Sequence, residues 1–189
     1  MTALVLDQVY KPTLLVDLQK VRKNIAFMLA KAKQSETMLR PHFKTHQSAR
    51  IGEIYKEMGV QAITVSSVEM ANYFAMAGWR DILIAFPLNW REVDKVDELA
   101  ARINLAVLVD CEESARFLAA HVTHEIGVWI KIDTGLHRAG IWWQDMQTIA
   151  ALASIISSLP HLNLKGIRTH AGQTYLADSK ESVKAMASA

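Results

Sequence analysis

Two hydrophobic rhythms alternate along this chain. Short apolar runs at residues 62–66, 81–86, 104–110, 127–133 and 164–170 read as strands. Several are nearly continuous, as strands buried on both faces of a parallel sheet tend to be. Between them, apolar residues recur at three- and four-residue steps, the spacing of one helix face. This predicts helices over about residues 68–77, 91–101, 112–120 and 144–157, and a last helical run that continues to Ala189. Upstream, residues 13–17 form a strand-like run, and Asp17 is placed to cap a helix carrying Leu18, Val21, Ile25, Met28, Leu29 and Ala32. Residues 38–46 read as a further short strand. A helix near residues 48–58 follows, with Ile51, Ile54, Tyr55 and Met58 on its apolar face and Gly59 as its stop.

From residue 38 onward the pattern gives six strand–helix units, spaced roughly as βαβ units are. The expected organisation is an N-terminal strand and helix over residues 1–37, then the repeated units over 38–189. Such alternation argues an α/β fold with a parallel sheet. An open doubly wound sheet and part of an eight-fold barrel both fit. Length alone favours the open sheet, since a complete barrel takes about 250 residues.

Composition narrows the class. Of the 189 residues 51% are hydrophobic and 21% charged, as expected of a soluble globular protein. The 21 basic and 19 acidic residues are well mixed and leave a net charge of +2. Without a basic stripe, nucleic acid is a poor partner, and the apolar runs are too short to span a bilayer. Residues 1–7 lack the charged start and cleavage site of a signal peptide. Cys111 is the single cysteine, so no internal disulfide framework is available. A cytoplasmic protein is expected.

The polar residues fall in a pattern that stability alone does not explain. Strand side chains alternate between faces, so Arg40, His42 and Lys44 share one face while Leu39, Pro41 and Phe43 share the other. A solvated edge strand would tolerate this arrangement. Yet polar groups gather at the C-terminal ends of the other strands too, where α/β folds place their chemistry. Ser66 and Ser67, Asp110, residues 133–140 and residues 170–175 all lie there. Lys131 shares a face with Asp133, and Arg168 shares one with His170. If these faces meet, mixed charges line one interior, with Asp110 and Asp133 offsetting some cations. That arrangement suits an anionic, polar ligand better than a core selected for stability.

Lys44 is the candidate nucleophile. An amine crowded by cations in a dry site has its charged form disfavoured and is free to form a Schiff base. Arg40 and Lys131 read more simply as structural ion-pair partners. His121, His124, His137 and His161 read as surface or loop residues, and nothing nearby completes a metal set around His121 and His124. Cys111 reads as a core or helix-start residue, and the five tryptophans as helix packing.

Three motifs together resemble the D-threonine aldolase and D-serine dehydratase family. They are Arg40-Pro41-His42-Phe43-Lys44-Thr45-His46, residues 131–140 (KIDTGLHRAG) and residues 169–175 (THAGQTY). Residues 12–17 (PTLLVD) resemble the opening of that family, and the likeness runs over essentially the whole chain. The resemblance implies a pyridoxal-phosphate enzyme on a TIM barrel of the alanine racemase type, with about six of the eight strand–helix units present. Lys44 would bond covalently to the cofactor, His170 would lie against its ring and Arg138 would reach its phenolic oxygen. Tyr175 would line the cofactor or substrate pocket.

The implied substrate is a small D-β-hydroxy amino acid. It would be cleaved to glycine and an aldehyde, or alternatively dehydrated as by a D-serine dehydratase. A non-catalytic pyridoxal-phosphate carrier is an alternative of another class. The family pattern adds two more barrel strands that bind the phosphate, a C-terminal β-domain with a metal-binding pair, and a homodimer. Gln47 stands where a lysine is common in the family. The sequence is therefore expected to be the N-terminal part of a longer parent, with the divalent metal handled only there. Alone it is expected to bind cofactor weakly and to turn over nothing.

Overall fold

A computed structural model describes residues 9–188. Residues 1–7, which bear on the signal-peptide expectation, lie outside this range, as does Ala189. The parallel sheet is built from β1 (Ala62–Val65), β2 (Asp81–Pro87), β3 (Asn104–Val109), β4 (Ile126–Asp133), β5 (Ile141–Trp142) and β6 (Leu162–Thr169). It runs β1-β2-β3-β4-β6, with the two-residue β5 also paired to the end of β4. The helices are α1 (Leu18–Gln34), α2 (Ala49–Glu57), α3 (Val68–Met76), α4 (Val93–Ala100), α5 (Glu112–His121), α6 (Met146–Ser158) and α7 (Lys180–Ser188).

Most helix starts follow from local chemistry. Asp17, Ser48, Ser67 and Asp145 each accept a backbone N–H of the first turn of α1, α2, α3 and α6. The strands bury Ile63, Val65, Ile82, Ile84, Val107, Val109, Val128, Ile130 and Ile132 against Val68, Phe74, Val96, Leu99, Leu118 and Ile156. Fully burying each aliphatic side chain contributes about 1.5–3 kcal/mol, so this one-sided layer holds helices to sheet. The other face carries a smaller apolar layer, Leu83, Ala106 and Leu108, with Ala85 and Trp129 beside it. Above that layer, toward the C-terminal strand ends, the face turns polar.

The architecture is the expected partial barrel, with three local differences. Residues 13–17 form no strand, and Leu14, Leu15 and Val16 line a groove beside α2. A strand needs a ladder partner, and none is offered there among the described residues. The opening stretch pairs with β1 through a single parallel bridge, His42 with Thr64, in which Thr64 N–H donates to the Pro41 carbonyl at 2.8 Å. The chain then tightens into a 3-10 turn, Phe43–Thr45, capped by the His42 ring. Finally, β5 forms inside what reads as a loop. Among the described residues β6 pairs with β4 alone, so the sheet remains open at that edge.

Candidate functional site

Phe43 anchors the first wall of the site. Its ring is fully buried and meets Phe74 and Trp79 edge-on at 4.9 and 5.2 Å between centroids. Gly52 makes room, because a Cβ there would stand 3.1 Å from the Phe43 ring. With Phe43 fixed inward, the next residue, Lys44, stands exposed at the rim. The backbone N–H of Lys44 donates to His42 Nδ1 at 3.3 Å, so that nitrogen carries no proton. Burial, reinforced by the charges of Lys44, Arg168 and His170, pushes the His42 pKa down to about 4.

The second wall comes from β4 and its loop. Lys131 is buried, and its Nζ donates to the Ile132 carbonyl at 2.7 Å. Burial pulls its pKa down, while Asp133 and Asp110 push the other way. These carboxylates offset Lys131 as expected, but it forms no ion pair within 4 Å among the described residues; the backbone carbonyl takes its place. Arg40 does form one, at 2.8 Å to Asp81, and also donates to the Ile63 carbonyl. Asp133 organises the loop instead of facing the cations directly: its Oδ1 accepts the backbone N–H groups of Gly135 and His137, both at 3.0 Å. The loop then carries Arg138 onto the site.

The third wall is β6 and the loop after it. Arg168 pairs in register with Lys131, and His170 follows at the strand end. Burial holds the pKa of His170 below its usual value, and Arg138 and Lys44 add to this. The loops after β4 and β6 are tied together. Thr134 and Thr169 share a hydroxyl hydrogen bond at 2.9 Å, and Gln173 Nε2 donates to the Thr134 carbonyl at 2.8 Å. Gly172 packs against Leu136 so closely that a Cβ would come within 2.6 Å.

These walls enclose a small cavity of about 80 Å³, lined by His42, Lys44, Lys131, Arg138, Arg168 and His170 with Thr169, Ala85 and Leu108. Every ionisable lining group is basic. The structure thus brings Lys44, Arg138 and His170 to one cavity. Tyr175 stands apart, largely exposed, with its ring edge-on to His170 at 5.7 Å between centroids. His121, His124, His137 and His161 are exposed. Cys111 stands half-buried at the start of α5. Among the tryptophans, Trp79 is in the core, while Trp142 lies exposed against the His137 ring with Trp143 beside it. Sequence reasoning missed Gln173 as the tie between loops, because its partner is 39 residues away.

The family model described as alanine racemase, N-terminal domain, matches residues 16–188. The chain belongs to this family. It is 32% identical over 190 residues to a D-threo-3-hydroxyaspartate dehydratase from Delftia, covering 98% of this chain and 49% of that protein. It is 28% identical to a 3-hydroxy-D-aspartate aldolase of Paracoccus denitrificans, covering 95% of this chain and 47% of that protein. Among solved structures, D-threonine aldolase from Filomicrobium marinum superimposes with a TM-score of 0.90 at 25% identity, covering 95% of this chain and 49% of that one. The chain spans about half the length of the curated relatives it matches. No described helix is long and apolar enough to cross a membrane.

Proposed function

We propose that this chain supplies the pyridoxal-phosphate site of a lyase acting on D-β-hydroxy amino acids. The observation that carries the reading is the cavity whose ionisable lining is wholly basic, with a primary amine at its rim. The fit is one of chemistry: a phosphorylated aldehyde with a phenolate is an anion, and Lys44 offers the amine that an aldehyde requires. Lys44 would hold the cofactor, with Arg138 and His170 beside it and Tyr175 toward the substrate side. When bound, pyridoxal phosphate supplies an electron sink for the bond-breaking step.

The chain's own residues prepare that site. His42 is neutral near pH 7 and takes the Lys44 backbone N–H, which orients the lysine without adding another cation. Arg138, presented by the Asp133-folded loop, meets negative charge on the ligand with a rigid fork of donors. His170, held largely neutral, presents a ring face or a single N–H without repelling Arg138. Among the described residues no group of three or more His, Cys, Asp or Glu is arranged to hold a metal.

Two reactions share this site. Retro-aldol cleavage to glycine and an aldehyde, of the D-threonine aldolase kind, is the first reading. Dehydration is the second, favoured by the dehydratase from Delftia being 32% identical to this chain. The first test is borohydride reduction in the presence of pyridoxal phosphate, followed by peptide mapping. A label on Lys44 is expected; a label confined to other lysines, or none, overturns the assignment. In the whole protein, D-threonine yielding acetaldehyde marks the aldolase, and D-serine yielding pyruvate marks the dehydratase.

A further inference from the structure

Helix α1 carries five cations, Lys20, Arg22, Lys23, Lys31 and Lys33, and no acidic residue. The whole chain has a net charge of +2, so a helix of +5 leaves −3 on the remainder. Surface helices gain stability from opposite charges three or four residues apart and lose it to like charges. The acidic groups around α1 do little to balance it. Asp17 caps its first turn and lies 3.8 Å from Lys20, Glu57 pairs with Arg22 at 2.6 Å, and Glu36 lies just past its end. Lys23, Lys31 and Lys33 form no ion pair among the described residues.

The same helix is apolar where it meets water. Ile25 is buried, with Val21, Leu29 and Ala32 half-buried on the same face, and this face holds α1 to the body. The opposite face presents Lys20, Lys23, Phe27 and Lys31 at helical spacing. Phe27 is 59% exposed, and the Lys31 ammonium stands 5.0 Å from its ring centroid. Leu18 and Met28 are exposed at the flanks. The chain entering α1 adds Tyr10 and Leu14, each 89% exposed, then Leu15 and Val16. Contiguous exposed apolar groups mark contact surfaces, and here they are interleaved with unpaired lysines.

We infer that residues 9–34 dock this protein on an anionic lipid bilayer surface. Charge complementarity selects an anionic surface over a neutral one, each lysine near it contributing about fivefold to partitioning. The aromatic and aliphatic side chains select a bilayer over nucleic acid or an acidic protein, because they need an acyl boundary to enter. Basic residues combined with a Phe or Leu anchor are the composition of helices that lie in the headgroup plane, and lysine stems reach along apolar surface to keep their charge at the phosphates. Such a helix rests on the membrane without crossing it, as α1 is neither long nor apolar enough to span. The inference is independent of the lyase reading.

The test is sedimentation of the 189-residue chain with phosphatidylcholine vesicles, with and without phosphatidylglycerol. Binding to the anionic vesicles is expected to be roughly tenfold stronger or more, and to weaken as salt is raised. Lys23→Glu combined with Lys31→Glu should remove that preference. Phe27→Ser should weaken binding to anionic vesicles while leaving its salt dependence in place. All three side chains are exposed, and circular dichroism checks that the variants stay folded. Should the double reversal unfold, Lys23→Gln combined with Lys31→Gln decides: an undiminished preference overturns the inference. Equal binding to both kinds of vesicle overturns it as well, since apolar adhesion at the open sheet edge would do as much. So does unchanged binding by Phe27→Ser, or displacement from the vesicles by polyglutamate or duplex DNA at equal charge concentration, which would make α1 a contact for acidic macromolecules. None of these measurements involves Lys44 or a cofactor, so their failure leaves the lyase reading untouched.

Discussion

The carboxylate of Asp133 holds His137 in a left-handed backbone conformation. It accepts the His137 N–H at 3.0 Å, and its second oxygen lies 3.4 Å from His137 Nδ1, while His137 has φ of 55°. An L-residue in that region is strained by about 1–2 kcal/mol, so the bonds from Asp133 keep the turn that delivers Arg138. Burial alone would raise the pKa of Asp133. The N–H groups of Gly135 and His137, with the nearby His137 ring, outweigh it and hold the carboxyl below its usual range. Asp133→Ala should therefore cost about 1–3 kcal/mol, deprotect amides 134–138 in hydrogen exchange and weaken pyridoxal-phosphate binding. Asp133→Asn keeps an acceptor for both N–H groups and should recover most of the exchange protection. Equal protection in Ala and Asn variants would separate the turn from this carboxylate.

Phe43 and Lys44 are adjacent, and one fixes the other. Removing the buried ring in Phe43→Ala should cost about 3–5 kcal/mol, whereas Phe43→Leu keeps much of the packed volume. Denaturant unfolding measures the loss. If the anchor positions the lysine, the Leu variant should stay folded yet show slower borohydride labelling at Lys44. Unchanged labelling kinetics in a folded Phe43→Leu protein would argue that the 3-10 turn alone sets the amine.

Stability should fall as the solution is acidified through the histidine range. The His42 pKa is pushed down to about 4 from the ordinary imidazole value of 6.5. Between these values the unfolded chain binds a proton that the folded chain refuses, so stability rises with pH across this window. His46 and His170 are also lowered, and act in the same direction. The carboxylates with lowered values, such as Asp97 at about 2, lose their contribution only at lower pH. Urea midpoints measured from pH 7 to 4.5 should therefore decline, with His42 contributing on the order of 1–3 kcal/mol. His42→Asn should flatten the decline; an unchanged slope would assign it elsewhere.

The sheet was readable because buried parallel strands are written as apolar runs, and the five long strands lie close to those runs. Parity was equally informative. Lys131, Asp133, Arg168 and His170 could be set on the polar face by counting in twos, and Lys44, Arg138 and His170 do converge. What depended on distant partners was not legible. Residues 13–17 carry a strand's composition but meet no strand, and residues 38–44 keep one bridge because the His42 cap turns the backbone at Phe43. The pairing of Arg40 with Asp81 spans the first three strand units of the sequence pattern. Lys44 was expected in a dry setting, but it is exposed at the rim.

Gly140 gives a sharper test of how β4 and its loop are joined. It has φ of 108°, and a Cβ there would lie 2.8 Å from the Lys131 carbonyl oxygen and 2.9 Å from the Ile132 carbonyl carbon. Both contacts are with backbone inside β4, so no side chain can swing aside. Gly59 has a similar φ of 93° with nothing within 4 Å of the added carbon. Gly59→Ala should thus show the conformational cost alone, about 1–2 kcal/mol. Gly140→Ala adds the clash and should cost more, because β5 must separate from β4 and draw Arg138 with it. The two variants compared in denaturant unfolding isolate the steric part. Equal losses would mean that β4 yields at Lys131, in which case Arg138 would keep its place on the cavity and pyridoxal-phosphate affinity would be unchanged.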